Sequence, residues 1–379
     1  MRVNNFHRIA EFRKRVGISS AVPVVLSLMM PAIAASEEIF RESFNDLPDY
    51  TSSEELNLEG WSFRRNGEVN WSPENGHPDR HDAFEILASN SDKARGGTGK
   101  SFVAWRESYD PGWQQWNSDG ILMKYFPEGY DQIYVEFYIK FSPKWTEAGT
   151  SKLFRMFSWS GEGSPFQFFA DGNSGPIFLW DYANSNYGVR NVHSYRGGPH
   201  GENYDFDSSN ISDTPRPLVN RGDLSLNFTG DTEGMAEDGG YPKIRDKVKG
   251  GYISDDLNQT VEMDQIYGDE WTKLAFFAKM NSSPGKADGK IRQWLDGELI
   301  FKNDSVVWVD QNPEGKMVKW NSVAIGGNDF FQEYPNSERH EEWYSIDDVL
   351  IASDIPKDLG VGDGVSSNPP APPTSINIE

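Results

Sequence analysis

Ile133, Val135, Phe137, Ile139 and Phe141 alternate with Tyr134, Glu136, Tyr138 and Lys140. Successive side chains of an extended chain leave on opposite sides, so this period of two predicts a half-buried strand. Asp131 before it and Ser142-Pro143 after it are turn signals. Thr272, Leu274, Phe276, Ala278 and Met280 repeat the pattern. Residues 291–301 read as a hairpin, because Asp296-Gly297 supplies the positive φ angles of a tight turn. Further strands are predicted at 151–159, 165–170, 176–182, 188–196, 318–325 and 343–352, and no long stretch has helical periodicity. With 36 Gly, 22 Pro, 23 Phe and 13 Trp, the chain has the turns and bulky side chains of an all-β sandwich or β-jelly roll.

The N-terminal segment departs from this pattern. Arg2, Arg8, Arg13, Lys14 and Arg15 precede an apolar run from Val16 to Ala35, and Ala32 and Ala34 form an A-x-A cleavage site. Residues 1–34 therefore read as a secretory signal peptide, leaving a secreted chain, extracellular or periplasmic, with no membrane segment after cleavage. Residues 35–358 read as one β domain. Within it, 199–260 are rich in Gly, Asp, Asn and Ser and form a long loop insertion suited to walling a cleft. Residues 359–379 contain Asn-Pro-Pro-Ala-Pro-Pro and read as an extended, disordered tail.

Charge narrows the function. Fifty-eight acidic residues against 36 basic ones give a net charge of -22, so no nucleic-acid partner is expected. The absence of cysteine excludes disulfides, thiolate metal sites and cysteine nucleophiles.

Several segments, taken in order, resemble the secreted polysaccharide lyases of jelly-roll fold that include alginate and glucuronan lyases. They are Tyr134–Phe141, Ser151-Lys152-Leu153-Phe154, Lys279-Met280-Asn281, Gln293–Gly297, Ala324-Ile325-Gly326-Gly327-Asn328 and Glu342–Ala352. The resemblance implies a concanavalin A-like sandwich of two antiparallel sheets. It further implies cleavage of a uronate-containing acidic polysaccharide by β-elimination. The family's Lys-Leu-Pro-Gly segment reads Lys152-Leu153-Phe154-Arg155 here, a departure that bears on the substrate. Related sandwiches also serve as carbohydrate-binding proteins. A non-catalytic lectin-like protein is therefore the main alternative and a glycoside hydrolase the third, although no Glu-x-Asp-x-x-Glu strand is present. A monomer is expected.

Elimination needs a group that neutralises the uronate carboxylate, a base for the proton alpha to it, and an acid for the leaving oxygen. On a strand, Asn191, His193 and Tyr195 share one face. We read Asn191 and Arg155 as the carboxylate neutralisers, His193 as base and Tyr195 as acid, with the last two free to exchange roles. The resemblance places a catalytic aromatic at a comparable point in the chain. Arg190 and Arg196 are cations on the opposite face or at the strand end, suited to a polyanion. Lys152 and Arg155 fall on opposite faces unless a bulge intervenes. Lys279 and Asn281 are secondary substrate contacts, and Trp180 and Tyr182 are candidates to stack on sugar rings. His77 and His81, in a loop, are weaker candidates for a metal or a base. No cofactor is needed for catalysis. The resemblance implies a structural calcium between the last strand and the N-terminal segment, with Glu42 and Asp348 as ligands.

Overall fold

A computed structural model describes residues 36–67, 81–106, 116–143, 145, 150–166, 174–185, 188–196, 218–219, 224–227, 267, 270–286, 288–309, 314–330 and 342–359. In chain order the strands are β1 (Glu38–Glu42), β2 (Tyr50–Thr51), β3 (Phe63–Asn66), β4 (Phe84–Ile86), β5 (Phe102–Arg106), β6 (Trp116–Tyr130) and β7 (Gln132–Phe141). They continue with β8 (Thr150–Trp159), β9 (Ser174–Ser185), β10 (Gly188–Arg196), β11 (Leu218–Val219), β12 (Leu224–Asn227) and β13 (Thr272–Lys279). The last four are β14 (Gly289–Leu295), β15 (Glu298–Val307), β16 (Trp320–Phe330) and β17 (Glu342–Ala352). Short 3-10 turns at Ala88–Lys93, Arg95–Gly97 and Lys357–Leu359 are the helical elements among the described residues.

The strands form two sheets. The ten-stranded one runs β11-β15-β14-β13-β7-β17-β5-β4-β2, with β1 also on β17; the seven-stranded one runs β12-β10-β9-β8-β16-β6-β3. Pairing is antiparallel except between β11 and β15. This is the all-β, two-sheet sandwich expected from the alternation.

The inner faces meet in one apolar core. Phe137, Phe276 and Ile346 of the larger sheet face Phe154, Phe178, Trp180, Val323 and Ile325 of the smaller. Phe154 and Phe276 stack with centroids 4.9 Å apart, and Trp180 lies 5.8 Å from Phe276. Burial of a large side chain of this kind contributes about 1.5–3 kcal/mol, so this layer is what holds the sheets together.

The outward face of the seven-stranded sheet is buried as well. Ile121, Met123, Phe157, Ile177 and Leu179 form a second apolar cluster there. That explains why β6 lacks alternation: a strand covered on both faces reads as a continuous apolar run, here Ile121-Leu122-Met123. The hairpin turn is as expected, since β14 ends at Leu295, β15 begins at Glu298, and Asp296 and Gly297 have φ of 50° and 84°. Of the strand expected at 165–170, Pro165 and Phe166 are in a turn and the rest lies outside the described residues. The proposed insertion 199–260 and the tail lie mostly or wholly outside them too.

Candidate functional site

The site is built on β8, β9 and β16. Cross-strand partners in a sheet share a face, so register decides which residues meet. Lys152 pairs with Asp181, and Arg155 pairs with Leu179. Residues 179 and 181 are two apart and share a face, so Lys152 and Arg155 do as well. A bulge between Lys152 and Phe154 makes this happen. Leu153 is the extra residue, and it joins Phe154 in the inter-sheet core. Both cations therefore lie on the outward side of the smaller sheet, at 8% and 4% exposure, with Asp181 beside them at 6%.

A second irregularity shapes the floor. The pairing of β16 with β8 breaks between Ile325 and Asp329. Gly326 sits at φ 84°, a region that glycine enters without a Cβ clash. A Cβ on Gly327 would lie 2.1 Å from the Lys152 carbonyl and 2.7 Å from Arg155 Nη2. The glycine pair thus lets the guanidinium lie against backbone, and Arg155 Nη2 donates to the Gly326 carbonyl at 3.3 Å. Ser151 Oγ donates to buried Asp329 at the same break. Nearby on β3 and β6, Arg65 pairs with Asp119 at 2.7 Å.

The Tyr344 phenol reaches this region from the larger sheet. Burial pushes its pKa well above the usual range, the Asp329 charge adds to the rise, and the Arg155 charge opposes it. Its hydroxyl has no hydrogen-bond partner among the described residues. Cations and carboxylates interleave here in a buried setting, where charges interact more strongly than in water.

Strand β10 is described by its backbone, and its side chains lie outside the described residues. Asn191, His193 and Tyr195 pair with Tyr182, Trp180 and Phe178, whereas Arg190, Ser194 and Arg196 pair with Ala183, Leu179 and Ile177. Register therefore brings the positions of Arg190 and Arg196 to the face of Lys152 and Arg155. It sets the positions of Asn191, His193 and Tyr195 on the row of Phe178 and Trp180, which belong to the inter-sheet core.

Other expectations are corrected. Trp180 is 0% exposed and packs on Phe137 and Phe276, so it is core and not a sugar platform. The Tyr182 side chain lies outside the described residues. Asn281 is a structural pin in the larger sheet. Its amide donates to the Ser283 and Val309 carbonyls at 2.6 and 2.9 Å, and its Oδ1 accepts from Val309 N at 2.9 Å. Lys279 ends β13 in the same larger sheet, away from Arg155.

Glu42 and Asp348 do not fit a calcium site. Glu42 accepts from Phe44 N at 2.7 Å and Trp61 Nε1 at 3.2 Å, and Asp348 pairs with the Arg95 guanidinium. Donors and a cation surround these carboxylates where calcium needs a cage of oxygens. Among the described residues no three His, Asp or Glu side chains gather as a metal site. His77 lies outside the described residues. His81 stacks on Trp105 at 3.4 Å, with Nδ1 3.1 Å from Glu85 Oε1. Burial pushes Glu85 up, but the donors His81, Asn90 and Trp105 outweigh it and hold the carboxyl below its usual range.

The reading of single strands overlooked Asp181, Asp329 and Asp119. The signal that could have found this floor is the glycine pair Gly326-Gly327, which marks a close approach within a strand pattern.

Fold and site define an antiparallel β-sandwich with cations gathered on the outward side of its smaller sheet. No protein-family model and no curated protein matches the chain. Among solved structures it is similar to alginate lyase Aly36B, at 11% identity and TM-score 0.43, covering 84% of this chain and 97% of that one. It is also similar to the endo-β-1,4-glucuronan lyase of the fungus Trichoderma reesei, at 12% and 0.42, covering 78% and 96%. β-Agarase A of Zobellia galactanivorans follows at 10% and 0.39, covering 82% and 89%. Likeness at this level assigns no activity.

Proposed function

We propose that this protein is a secreted lyase that cleaves a uronate-containing polysaccharide by β-elimination. The observation that carries the reading is the shared face of Lys152 and Arg155, joined in register by the positions of Arg190 and Arg196. Four cations on the two strands that flank β9 are unusual in a chain of net charge -22. They would attract an acidic polymer against the field of the whole molecule. Arg155 is suited to neutralising the carboxylate, since its planar guanidinium takes both oxygens at once. A substrate carboxylate that reaches this buried group loses water, which strengthens the pairing as charge builds on the uronate in the transition state. The proton alpha to the carboxylate then leaves to a base, its electron pair forms the new carbon–carbon double bond, and the glycosidic oxygen departs with a proton from an acid.

His193 and Tyr195 are the base and acid expected from the sequence, but register sets their positions on the opposite side of the smaller sheet from Arg155, so one sugar does not meet Arg155 and this pair together. They are therefore tested on their own. The secreted chain is incubated with alginate, glucuronan, ulvan and glycosaminoglycans while the ultraviolet absorbance of unsaturated ends is followed. Growth of that absorbance is expected. New reducing ends without it would mean hydrolysis, and retention on a polysaccharide gel without cleavage would mean a lectin. Tyr195→Phe should leave turnover close to that of the unaltered protein, with the acid on the face of Arg155. A loss of about 10²–10⁴-fold, the usual contribution of a proton-transfer group, would place the chemistry on the row of Tyr195 and remove Arg155 from it.

A further inference from the structure

A second group of cations lies on the outward side of the ten-stranded sheet. Lys279 of β13 pairs in register with Lys290 of β14, and Arg292 of β14 pairs with Lys302 of β15. Arg292 also sits opposite Phe277, which belongs with Trp294 and Tyr134 to the apolar cluster on this outward face. One carboxylate serves three of the four. Asp304 lies 3.6 Å from Lys290 Nζ, 3.4 Å from Arg292 Nη2 and 3.8 Å from Lys302 Nζ. Two nearby acids are engaged elsewhere, Glu136 with Lys273 at 2.9 Å and Asp288 with Lys286 at 2.7 Å. The Arg292 side chain is 5% exposed, and its Nε has no hydrogen-bond partner among the described residues. A buried cation sharing one distant carboxylate is under-compensated, and an added anion would stabilise it. Lys279 is exposed and Lys290 half-buried, so the group is open to solvent on one side.

We propose that this patch is a docking site for an extended polyanion, distinct from the candidate catalytic face. Neighbouring strands are about 4.8 Å apart, so cations on three strands spread over roughly 10 Å. That is too wide for a single carboxylate and suits successive charges of a polymer. The identity of the polymer as a uronate polysaccharide rests on the lyase reading; the patch itself does not. Docking here would hold the chain on its substrate between cleavage events, raising the local concentration at the other face.

Electrophoresis of the full chain through gels cast with alginate, set against a neutral agarose gel, tests this. Retardation of the unaltered protein is expected, and salt raised from about 0.05 to 0.5 M should abolish it by screening. Lys279→Glu with Lys290→Glu should weaken retention at least tenfold relative to the neutral gel. Lys279→Gln with Lys290→Gln, a milder pair, should weaken it several-fold, and melting curves check that both pairs fold. Retention unchanged by both pairs would overturn the proposal, as would its complete loss in Arg155→Ala alone. Retention needs no cleavage, so a protein that is held by the gel but yields no unsaturated ends would sink the lyase reading and leave this one standing.

Discussion

On the outward side of the smaller sheet, Lys152 and Arg155 are buried with Asp181 beside them. On the outward side of the larger sheet, Lys279 is exposed, Lys290 is half-buried, and Asp304 serves Lys290, Arg292 and Lys302 together. The first arrangement fixes geometry: in a buried setting the Gly326 carbonyl holds the Arg155 guanidinium, and Asp181 stands opposite Lys152. The second gathers cations on a partly exposed face, which favours adhesion over orientation. In a chain this acidic, each cluster is a local reversal of the global field, but they suit different tasks.

The largest expected effect breaks the comparison at its catalytic end. Arg155→Ala should reduce release of unsaturated ends by about 10²–10³-fold, the usual loss when one charge-stabilising donor is removed. A value near that of the unaltered protein would reduce Arg155 to a structural ion-pair partner. Next comes Gly327→Ala, whose new methyl would meet the Lys152 carbonyl and Arg155 Nη2. It should destabilise the fold by about 1–3 kcal/mol, read in denaturant melts, and lower activity through displacement of the guanidinium. Full stability would mean that β16 yields freely there.

The smallest effect belongs to the other sheet. Asp347 is pushed up to about 6, mainly by burial, with the Asp348 charge adding and the N–H groups of Arg95 and Asp348 opposing. An acid with a raised folded-state pKa binds more protons folded than unfolded. Its contribution thus favours the fold at low pH, declines as pH rises from about 4 to about 6, and is flat above that. Asp347→Asn should flatten this slope in thermal melts across that window while leaving retention on alginate gels intact. An unaltered slope would assign the pH dependence to other groups.

Much of the architecture was legible because alternation reports directly on which face of a strand is buried. Residues 133–141, 272–280 and the Asp296-Gly297 hairpin were readable for that reason. β6 was not, since Leu122 is buried on one side and Ile121 and Met123 on the other, which erases the period. The candidate site was less legible. Arg155 was found by its alternation with Phe157 and Trp159 and by the fit of a guanidinium to a carboxylate. Its company depends on a bulge and on a glycine break, and both are long-range pairings that no local pattern reports. Trp180 and Asn281 misled because a ring and an amide look alike in sequence whether they face a ligand or fill the interior.

The single surplus residue at Leu153 has a consequence for reading such chains. Like charges spaced three apart in a stretch that otherwise counts in twos, as in Lys152-Leu153-Phe154-Arg155, are a hint of switched parity. Absorbing Leu153 into regular pairing, with no bulge, would restore simple counting and turn either the lysine or the arginine inward among phenylalanines. One local bulge thus separates a charged seam from a broken one.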